Sequence, residues 1–230
     1  MSTSARLTIG FLHTASAHVS RFDALLEELL EKRADQGHAA VHTAHVVDES
    51  LLDDARTHGL TDALRDRIAQ RVAEAGAHAT VVVCTCSTIG AAAEDAGRIN
   101  ALRVLRVDSP MAEEAVRLGR HIVVIATVES TLAPTTELLT ATARRSGRSA
   151  SLTTVLATEA WPLFERGDLD GYYRAVATRI DQVAPPCDAI VLAQASMSPA
   201  AAWCRTAIPV LSSPRLAMVA ALEMLAPVSG

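Results

Sequence analysis

Residues 78–88, HATVVVCTCST, decide the fold, because the chain repeats their pattern at residues 187–197, CDAIVLAQASM. Each copy has an apolar run of strand length, a polar turn and an alanine-rich run typical of a helix. Two further pairs of segments match in the same order: residues 7–12 with 122–127, and residues 102–110 with 207–214. The two halves therefore look like copies of one α/β unit.

The alternation of strands and helices predicts the fold class. Strands that are apolar throughout are typical of parallel sheets covered on both faces. We therefore predict two pseudo-symmetric parallel-sheet α/β domains, residues 1–119 and 120–230, with the closing helix at residues 216–225 able to pack on the first half. Ligands of such sheets bind beyond the carboxyl ends of the strands, so we expect the active site in the cleft between the halves.

The composition narrows the class of partner. The chain has 230 residues, half of them apolar, and a net charge of −5 without a dense Lys/Arg run, which predicts a small-molecule ligand and no nucleic acid. No apolar stretch reaches the ~18 residues of a membrane-spanning helix, and the first six residues lack a signal-peptide core. We therefore expect a cytoplasmic protein without a membrane partner.

The lysine count and the glycine pattern disfavour two classes of cofactor. Lys32 is the only lysine and lies in a charged stretch, which disfavours a Schiff-base enzyme. The chain also lacks a glycine-rich phosphate-binding motif, so nucleotide and dinucleotide cofactors are disfavoured.

Cys86 is the strongest candidate for chemistry, since it follows a buried strand where a helix begins. Helix N–H groups and the helix dipole stabilise a thiolate there, which suits proton transfer or nucleophilic attack. The hydroxyls of Ser87 and Thr88 are candidates to hold a substrate carboxylate. The alternative is that Cys86 is a small buried hydrophobe.

The other cysteines predict packing rather than metal binding. Cys84 is interpreted as a core residue, and a single Cys-x-Cys pair lacks the four ligands of structural zinc, so no metal site is expected. Cys187 precedes a strand and Cys204 is predicted inside a helix, both as packing residues.

The histidines divide into two groups. His38, His42 and His45 are interpreted as surface or edge residues, because the β-like pattern around them breaks helical spacing. His13 ends the first strand, where it is a candidate to orient substrate or donate a proton, or is an ordinary loop histidine.

A second set of candidates lies in the second half. Thr127, Ser130 and Thr131 surround a predicted helix start, where hydroxyls and backbone N–H groups can hold a carboxylate. A helix cap by Ser130 or Thr131 is the structural alternative. Two segments bear on access to a ligand: residues 47–59 are expected to be a loop, and residues 161–173 hold four of the seven aromatics, as a lid, a dimer contact or core.

These motifs resemble the aspartate/glutamate racemase superfamily, which includes amino-acid racemases, hydantoin racemase, maleate isomerase and arylmalonate decarboxylase. Cys86-Ser87-Thr88 resembles its first-half Cys-Asn-Thr motif, Ala126-Thr127 resembles its second-half Gly-Thr, and residues 190–194 are similar to the strand leading to its second catalytic cysteine. The resemblance covers nearly the whole chain. It implies two α/β domains, a cofactor-free site between them, a small carboxylate substrate and a homodimer.

The chain departs from the racemase pattern at the second cysteine, whose position falls on Gln194 or Ala195. Neither side chain exchanges a proton, so only the Cys86 side is equipped for proton transfer. Gln194 or Ser196 would then hold the substrate or replace a volume. The predicted function is isomerase or racemase chemistry at the carbon next to a carboxylate, with Cys86 as the acid, base or nucleophile. The alternatives are a one-cysteine decarboxylase of a malonate-type acid and a protein that binds small carboxylates without turnover.

Overall fold

The computed structural model describes residues 7–32, 40–183 and 185–225. Contacts divide the chain into two compact units: residues up to Val107 together with those from Arg215 onward, and Asp108–Pro214. Each unit contains one four-stranded parallel sheet with helices packed against it. The predicted fold class, two α/β units built on parallel sheets, is confirmed.

The first unit has the strand order β2-β1-β3-β4. Its strands are β1 (Leu7–His13), β2 (Val41–Val47), β3 (Val81–Cys84) and β4 (Val104–Arg106). Its helices are α1 (His18–Glu31), α2 (Ser50–His58), α3 (Asp62–Gly76), α4 (Ser87–Ile99) and, from Arg215 onward, the last helix of the chain, α9 (Ser213–Leu225).

The second unit has the strand order β6-β5-β7-β8, which matches that of the first. Its strands are β5 (His121–Ala126), β6 (Ser151–Leu156), β7 (Ala189–Leu192) and β8 (Val210–Ser212). Its helices are α5 (Ser109–Leu118), α6 (Leu132–Arg145), α7 (Trp161–Glu165) and α8 (Leu169–Asp181), with 3-10 helices at Glu129–Thr131 and Ala195–Ala202. The equal strand order agrees with the internal repeat.

Successive side chains of a strand point to opposite faces of the sheet, and this alternation builds two cores in the first unit. Phe11 and Val83 pack on the face that α1 and α9 cover. Leu12 and Cys84 pack on the opposite face, with residues of α2, α3 and α4. The central strands β3 and β7 are buried at every position, which explains why they read as continuous apolar runs.

The closing helix of each copy belongs to the other unit. Helix α5 follows β4 along the chain but packs against α6 and β7. Helix α9 follows β8 but contributes Ala217, Met218 and Leu222 to the core of the first unit. The position of α9 agrees with the expectation that the closing helix can pack on the first half, whereas α5 lies on the other side of the boundary predicted at residues 119 and 120. The apolar surface that a helix buries decides which unit it joins.

Two local predictions were wrong. Residues 47–59 are not a loop, since α2 occupies most of them and buries Leu51 and Ala55. The helix predicted after the second repeat is present as a 3-10 helix, and it contains Pro199, whose ring removes an N–H donor. Cys204 lies beyond that helix, not within one.

The aromatic stretch at residues 161–173 is in part core. Tyr172 is fully buried and packs on the second sheet with Ile125 and Leu192. Its ring lies 5.1 Å from that of Phe164. Core packing therefore accounts for Tyr172, the most buried member of the stretch.

Replacing Gly10 by alanine is expected to destabilise the first unit by about 3 kcal/mol, because overpacking that displaces backbone is poorly tolerated. A Cβ on Gly10 would overlap the backbone carbonyl oxygen of Ala75. Gly76→Ala is the matched control, since its Cβ would meet only the flexible end of Leu102, at 2.7 Å. Urea unfolding of both variants measures the difference, and equal stability of the two would show that the α3 backbone shifts without penalty.

Candidate active site

Cys86 occupies the start of α4, two residues beyond the end of β3. It is the N-cap of the helix, with φ −115° and ψ 116°, and its side chain makes no capping hydrogen bond to the helix. The residue is 8% exposed and packs in the cluster that contains Leu12, Cys84 and Ile89. Cys84 Sγ donates to the carbonyl oxygen of Cys86 at 3.6 Å, so the two thiols have different surroundings.

Ser87 and Thr88 are the first two residues of α4, and both are half-buried. The first N–H groups of a helix have no intrahelical partner, and they favour an anion. Together with the two hydroxyls, these N–H groups make the α4 start suitable for a carboxylate. The structure thus brings Cys86, Ser87 and Thr88 together, as expected of neighbours at a strand-to-helix turn.

The equivalent position in the second unit is Gln194. It is the second residue after β7 and the N-cap of the following 3-10 helix, with φ −124° and ψ 136°, close to the values of Cys86. The N–H of Thr85 donates back to β1, and the N–H of Ala193 donates in the same way to β5. This backbone match makes Gln194, rather than Ala195, the equivalent of Cys86 in the repeat.

Gln194 is held by Thr127, which follows β5. Its Oε1 accepts from the Thr127 N–H at 2.6 Å and from the Thr127 hydroxyl at 2.9 Å. The atom facing the backbone N–H has to be an acceptor, so the amide orientation is determined. The Thr127 hydroxyl, predicted to hold substrate, is thus engaged with Gln194, and the Gln194 NH2 group is the remaining donor of the pair.

Gln194→Leu is expected to destabilise the second unit by about 2 kcal/mol, because it leaves buried donors of Thr127 without their acceptor. Gln194→Glu keeps an acceptor at the same reach, so its loss is expected to be below about 1 kcal/mol. Denaturant titrations of the two variants measure the contrast. A leucine variant as stable as the glutamate variant would refute the structural importance of this pair.

The remaining candidates of the second unit are Ser130, Thr131 and Ser196, and their hydroxyls have different surroundings. Ser130 is exposed within the 3-10 helix Glu129–Thr131. The hydroxyl of Thr131 donates back to the carbonyl oxygen of Val128 at 2.8 Å, so it does not cap α6 with its side chain. Ser196 Oγ lies 2.9 Å from the hydroxyl of buried Tyr172. The hydroxyls of Thr131 and Ser196 therefore already have hydrogen-bond partners within the protein.

His13 is fully buried at the end of β1. Its Nδ1 lies 2.8 Å from Thr85 Oγ1 and its Nε2 lies 2.9 Å from Nδ1 of His45. Burial lowers the pKa of His13 to about 3, with further lowering from His45 and His18. The imidazole is therefore neutral, and it lies on the sheet face of Phe11, whereas Cys86 packs on the face of Leu12.

His45 is a residue whose role the sequence analysis missed. Its Nε2 lies 3.0 Å from Asp23 Oδ1, which makes it the link between α1 and His13. His42, on the same strand, is exposed as predicted, and His38 lies outside the described residues. In the sequence, the alternation along β2 places His45 on the same sheet face as Thr43. It does not show that β1 is the neighbouring strand, so the contact with His13 could not be predicted.

Arg106 was also missed. It ends β4 with only 6% exposure, and its Nη2 lies 3.4 Å from the carbonyl oxygen of Ser87. Gly90 leaves room for it, since a Cβ there would approach the Arg106 side chain to 3.1 Å. A buried guanidinium thus supports the first turn of α4. Arg106 was not predicted as a site residue because an arginine at the end of a short apolar strand usually lies at the surface.

Other features of the described residues lie away from these groups. A cavity of about 590 Å³ in the second unit is lined by the first residues of β5 and β6, His121 and Ser151, and by Arg179 of α8. Burial raises the pKa of both Cys187 and Cys204. Within residues 7–32, 40–183 and 185–225, no three His, Cys, Asp or Glu side chains are grouped to hold a metal ion. In the same ranges, no helix combines the length and apolarity needed to cross a membrane.

Solved structures of aspartate and glutamate racemases and of arylmalonate decarboxylase share this duplicated α/β architecture. The Picrophilus torridus aspartate racemase is similar with a TM-score of 0.68 at 14% identity, over 95% of this chain and 94% of that one. A glutamate racemase from Bacillus anthracis gives 0.62 at 14% identity, over 96% and 82%. Unliganded arylmalonate decarboxylase gives 0.58 at 16% identity, over 97% and 94%.

Sequence comparison adds no closer relative: neither a protein-family model nor a curated protein matches the chain. At such low identities the structural likeness establishes the fold. The fold predicted from the sequence resemblance is therefore confirmed.

Proposed function

We propose that the chain is a cofactor-independent enzyme of the aspartate/glutamate racemase superfamily that moves a proton at the carbon next to the carboxylate of a small acid, with Cys86 as its acid or base. The observation that carries the proposal is the position of Cys86. A thiol is the N-cap of a helix at the carboxyl end of a central parallel strand, where anions and reactive groups are favoured.

The chemistry follows from the needs of a carbanion next to a carboxylate. Such a carbanion forms only when its enediolate is stabilised by preorganised donors. The N–H groups and hydroxyls of Ser87 and Thr88 are our candidates for that role beside Cys86. The substrate-binding roles of Thr127, Ser130, Thr131, Gln194, Ser196 and His13 stay predictions.

Isomerisation or racemisation is the default chemistry of the superfamily. The Cys86 thiolate would take the α-proton, and the enediolate would then receive a proton from a thiol or from water. Inversion needs delivery to the opposite face of the carbon. Since the equivalent position holds Gln194, a two-thiol racemisation is disfavoured, and racemisation would require another acid.

Decarboxylation is the second candidate, and it is favoured because Gln194 stands where a second thiol would be needed for racemisation. As carbon dioxide leaves, the electron pair of the broken carbon–carbon bond stays on the α-carbon as an enediolate. The Cys86 thiol gives its proton to that carbon, and water returns a proton to the thiolate. One thiol is enough for this cycle, and the product receives its proton on a single face.

Proton NMR in deuterated water tests the proposal with a panel of amino acids, malonates, hydroxy acids and maleate. Loss of an α-proton signal with the carbon skeleton retained and optical purity lost would establish racemisation. Release of carbon dioxide with deuterium on one face would establish the decarboxylase. Conversion of maleate to its trans isomer would establish addition of the thiolate, rotation and elimination.

A non-catalytic carboxylate-binding protein is the outcome that would overturn the proposal. It would show ligand-induced shifts across the panel without any turnover, and the same shifts in Cys86→Ser. An enzyme would instead lose turnover in that variant while its fold persists.

A further inference from the structure

A row of four hydrogen-bonding side chains crosses three neighbouring strands of the first unit. Asp23 Oδ1 on α1 lies 3.0 Å from His45 Nε2 on β2. His45 Nδ1 lies 2.9 Å from His13 Nε2 on β1, and His13 Nδ1 lies 2.8 Å from Thr85 Oγ1 beyond β3. The row thus connects Asp23, whose side chain is 39% exposed, with a buried hydroxyl.

The rings of the row are held by packing. Phe11 stacks on His45 with 4.9 Å between ring centroids and on His13 with 5.4 Å. Phe22 lies 5.8 Å from His13, with the two rings tilted by 52°. Because the rings are confined, a proton can move along the row without a change of rotamer.

When His45 is neutral, the numbers of donors and acceptors determine in which direction each hydrogen bond of the row is donated. The Asp23 carboxylate only accepts, so His45 Nε2 carries the hydrogen and His45 Nδ1 accepts from His13 Nε2–H. His13 Nδ1 then has no hydrogen and accepts from the hydroxyl of Thr85. In this state the Thr85 hydrogen points at His13.

One added proton reverses the direction. In the state with hydrogens on both nitrogens of His45, the row holds one more proton, which solvent supplies. His45 Nδ1 then donates to His13 Nε2, so neutral His13 carries its single hydrogen on Nδ1. Thr85 Oγ1 then accepts from His13 and donates to the carbonyl oxygen of Leu12, 3.2 Å away. His13 itself stays neutral in both states, in agreement with its pKa of about 3.

We propose that Asp23, His45 and His13 form a proton relay that sets the direction of the Thr85 hydroxyl and thereby positions the turn that carries Cys86. Thr85 is the residue before Cys86, and its N–H already bonds the carbonyl oxygen of Leu12 at 3.0 Å. The link to catalysis rests on the proposed function of Cys86, whereas the relay itself does not.

The charges around the relay favour this assignment. Asp23 is an acidic group that faces His45, with Oδ1 3.0 Å from Nε2, and the two form an ion pair when His45 carries the added proton. On α1, the neighbouring groups are His18, whose ring lies 6.1 Å from that of His13, and Arg21, which acts on His18. Arg215 of α9 pairs with Glu28 of α1.

Nitrogen-15 NMR of histidine-labelled protein tests the relay without any assay of activity. We expect His13 to hold its hydrogen on Nε2 while His45 is neutral and on Nδ1 once His45 carries the added proton, as the sample is acidified from about pH 8 to about pH 5. In Asp23→Asn the exchange of tautomers is expected at lower pH. His42→Gln is the matched control on β2 and should leave the tautomers of His13 unchanged. A His13 tautomer that stays the same from pH 8 to pH 5 would overturn the proposal.

The activity readout uses a pair of variants at Thr85. Thr85→Val removes the hydroxyl and is expected to lower turnover by roughly tenfold to a hundredfold and to flatten its pH profile between about pH 5 and 8. Thr85→Ser keeps the hydroxyl and should restore both rate and profile. Equal rates and pH profiles in wild type and Thr85→Val would refute the positioning role. If the wild type turns over no acid of the panel, the proposed function of Cys86 fails, but the tautomer measurement still decides the relay.

Discussion

Cys86→Ser is expected to lower the turnover of the reactive acid by about 10²- to 10⁴-fold, the usual contribution of a positioned acid or base. The hydroxyl of serine is a far weaker acid than a thiol and a poor base, although it has nearly the same shape. The residue is small, caps α4 with its backbone alone and makes no side-chain capping bond, so the fold should persist. Deuterium incorporation at the α-carbon measures the rate, and circular dichroism measures the fold.

Two other thiols provide the controls for this experiment. Cys204→Ser changes a half-buried thiol of the second unit that donates to the carbonyl oxygen of Ala201 at 3.2 Å, and it should leave the rate unchanged. Cys84→Ala tests the neighbouring thiol, which is fully buried and is expected to affect stability more than rate. Full activity of Cys86→Ser together with loss of activity in Cys84→Ala would transfer the chemistry to Cys84.

The stability of the first unit is expected to fall by roughly 3 to 5 kcal/mol between about pH 6.5 and pH 3 on account of His13 alone. The folded pKa of His13 is lowered to about 3 by burial, then by His45 and His18. In the unfolded chain the group titrates at its ordinary pKa of 6.5. Between these values the unfolded state binds more protons, so acid favours unfolding. The contribution is fully present above about pH 6.5 and is lost as the pH falls toward 3.

Urea unfolding at several pH values isolates this effect when His13→Gln is compared with the wild type. Carboxylates with lowered pKa, such as Asp48 and Asp188, also weaken the protein in acid, but they are common to both proteins. The slope of unfolding free energy against pH should be smaller in the variant by up to about 1.4 kcal/mol per pH unit. His42→Gln, an exposed site on β2, should keep the wild-type slope. Identical slopes in wild type and His13→Gln would contradict a buried neutral His13.

Much of the fold was readable from local pattern. The apolar runs that form β3 and β7 are buried at every position, and such runs can be predicted as strands without knowledge of the neighbouring strands. The strand-to-helix turn at Cys86 is equally local, because its three residues are consecutive. Helix α2 was missed, since it is short and rich in charge, and only its burial of Leu51 and Ala55 against neighbouring elements makes it stable.

The candidate site, like the fold, was predicted in part from the sequence and completed by the structure. The sequence alone narrowed the second-cysteine position to Gln194 or Ala195, and the backbone of the turn after β7 decided for Gln194. The bonds between Thr127 and Gln194 join residues that are 67 positions apart. Pairing over such a distance depends on strand order, which no local pattern contains.

By itself, the sequence determined that this protein is a duplicated parallel α/β chain with one distinctive thiol at a strand-to-helix turn, because periodicity and turn chemistry are properties of neighbouring residues. The sequence also allowed the closing helix α9 to pack on the first half, but only the tertiary structure decided that α5 joins the second unit, and that His45 bonds His13. The physical reason is that burial and hydrogen-bond partners depend on which surfaces meet. Helices α5 and α9 joined the units where their apolar faces are buried, and His45 met His13 because β2 lies beside β1.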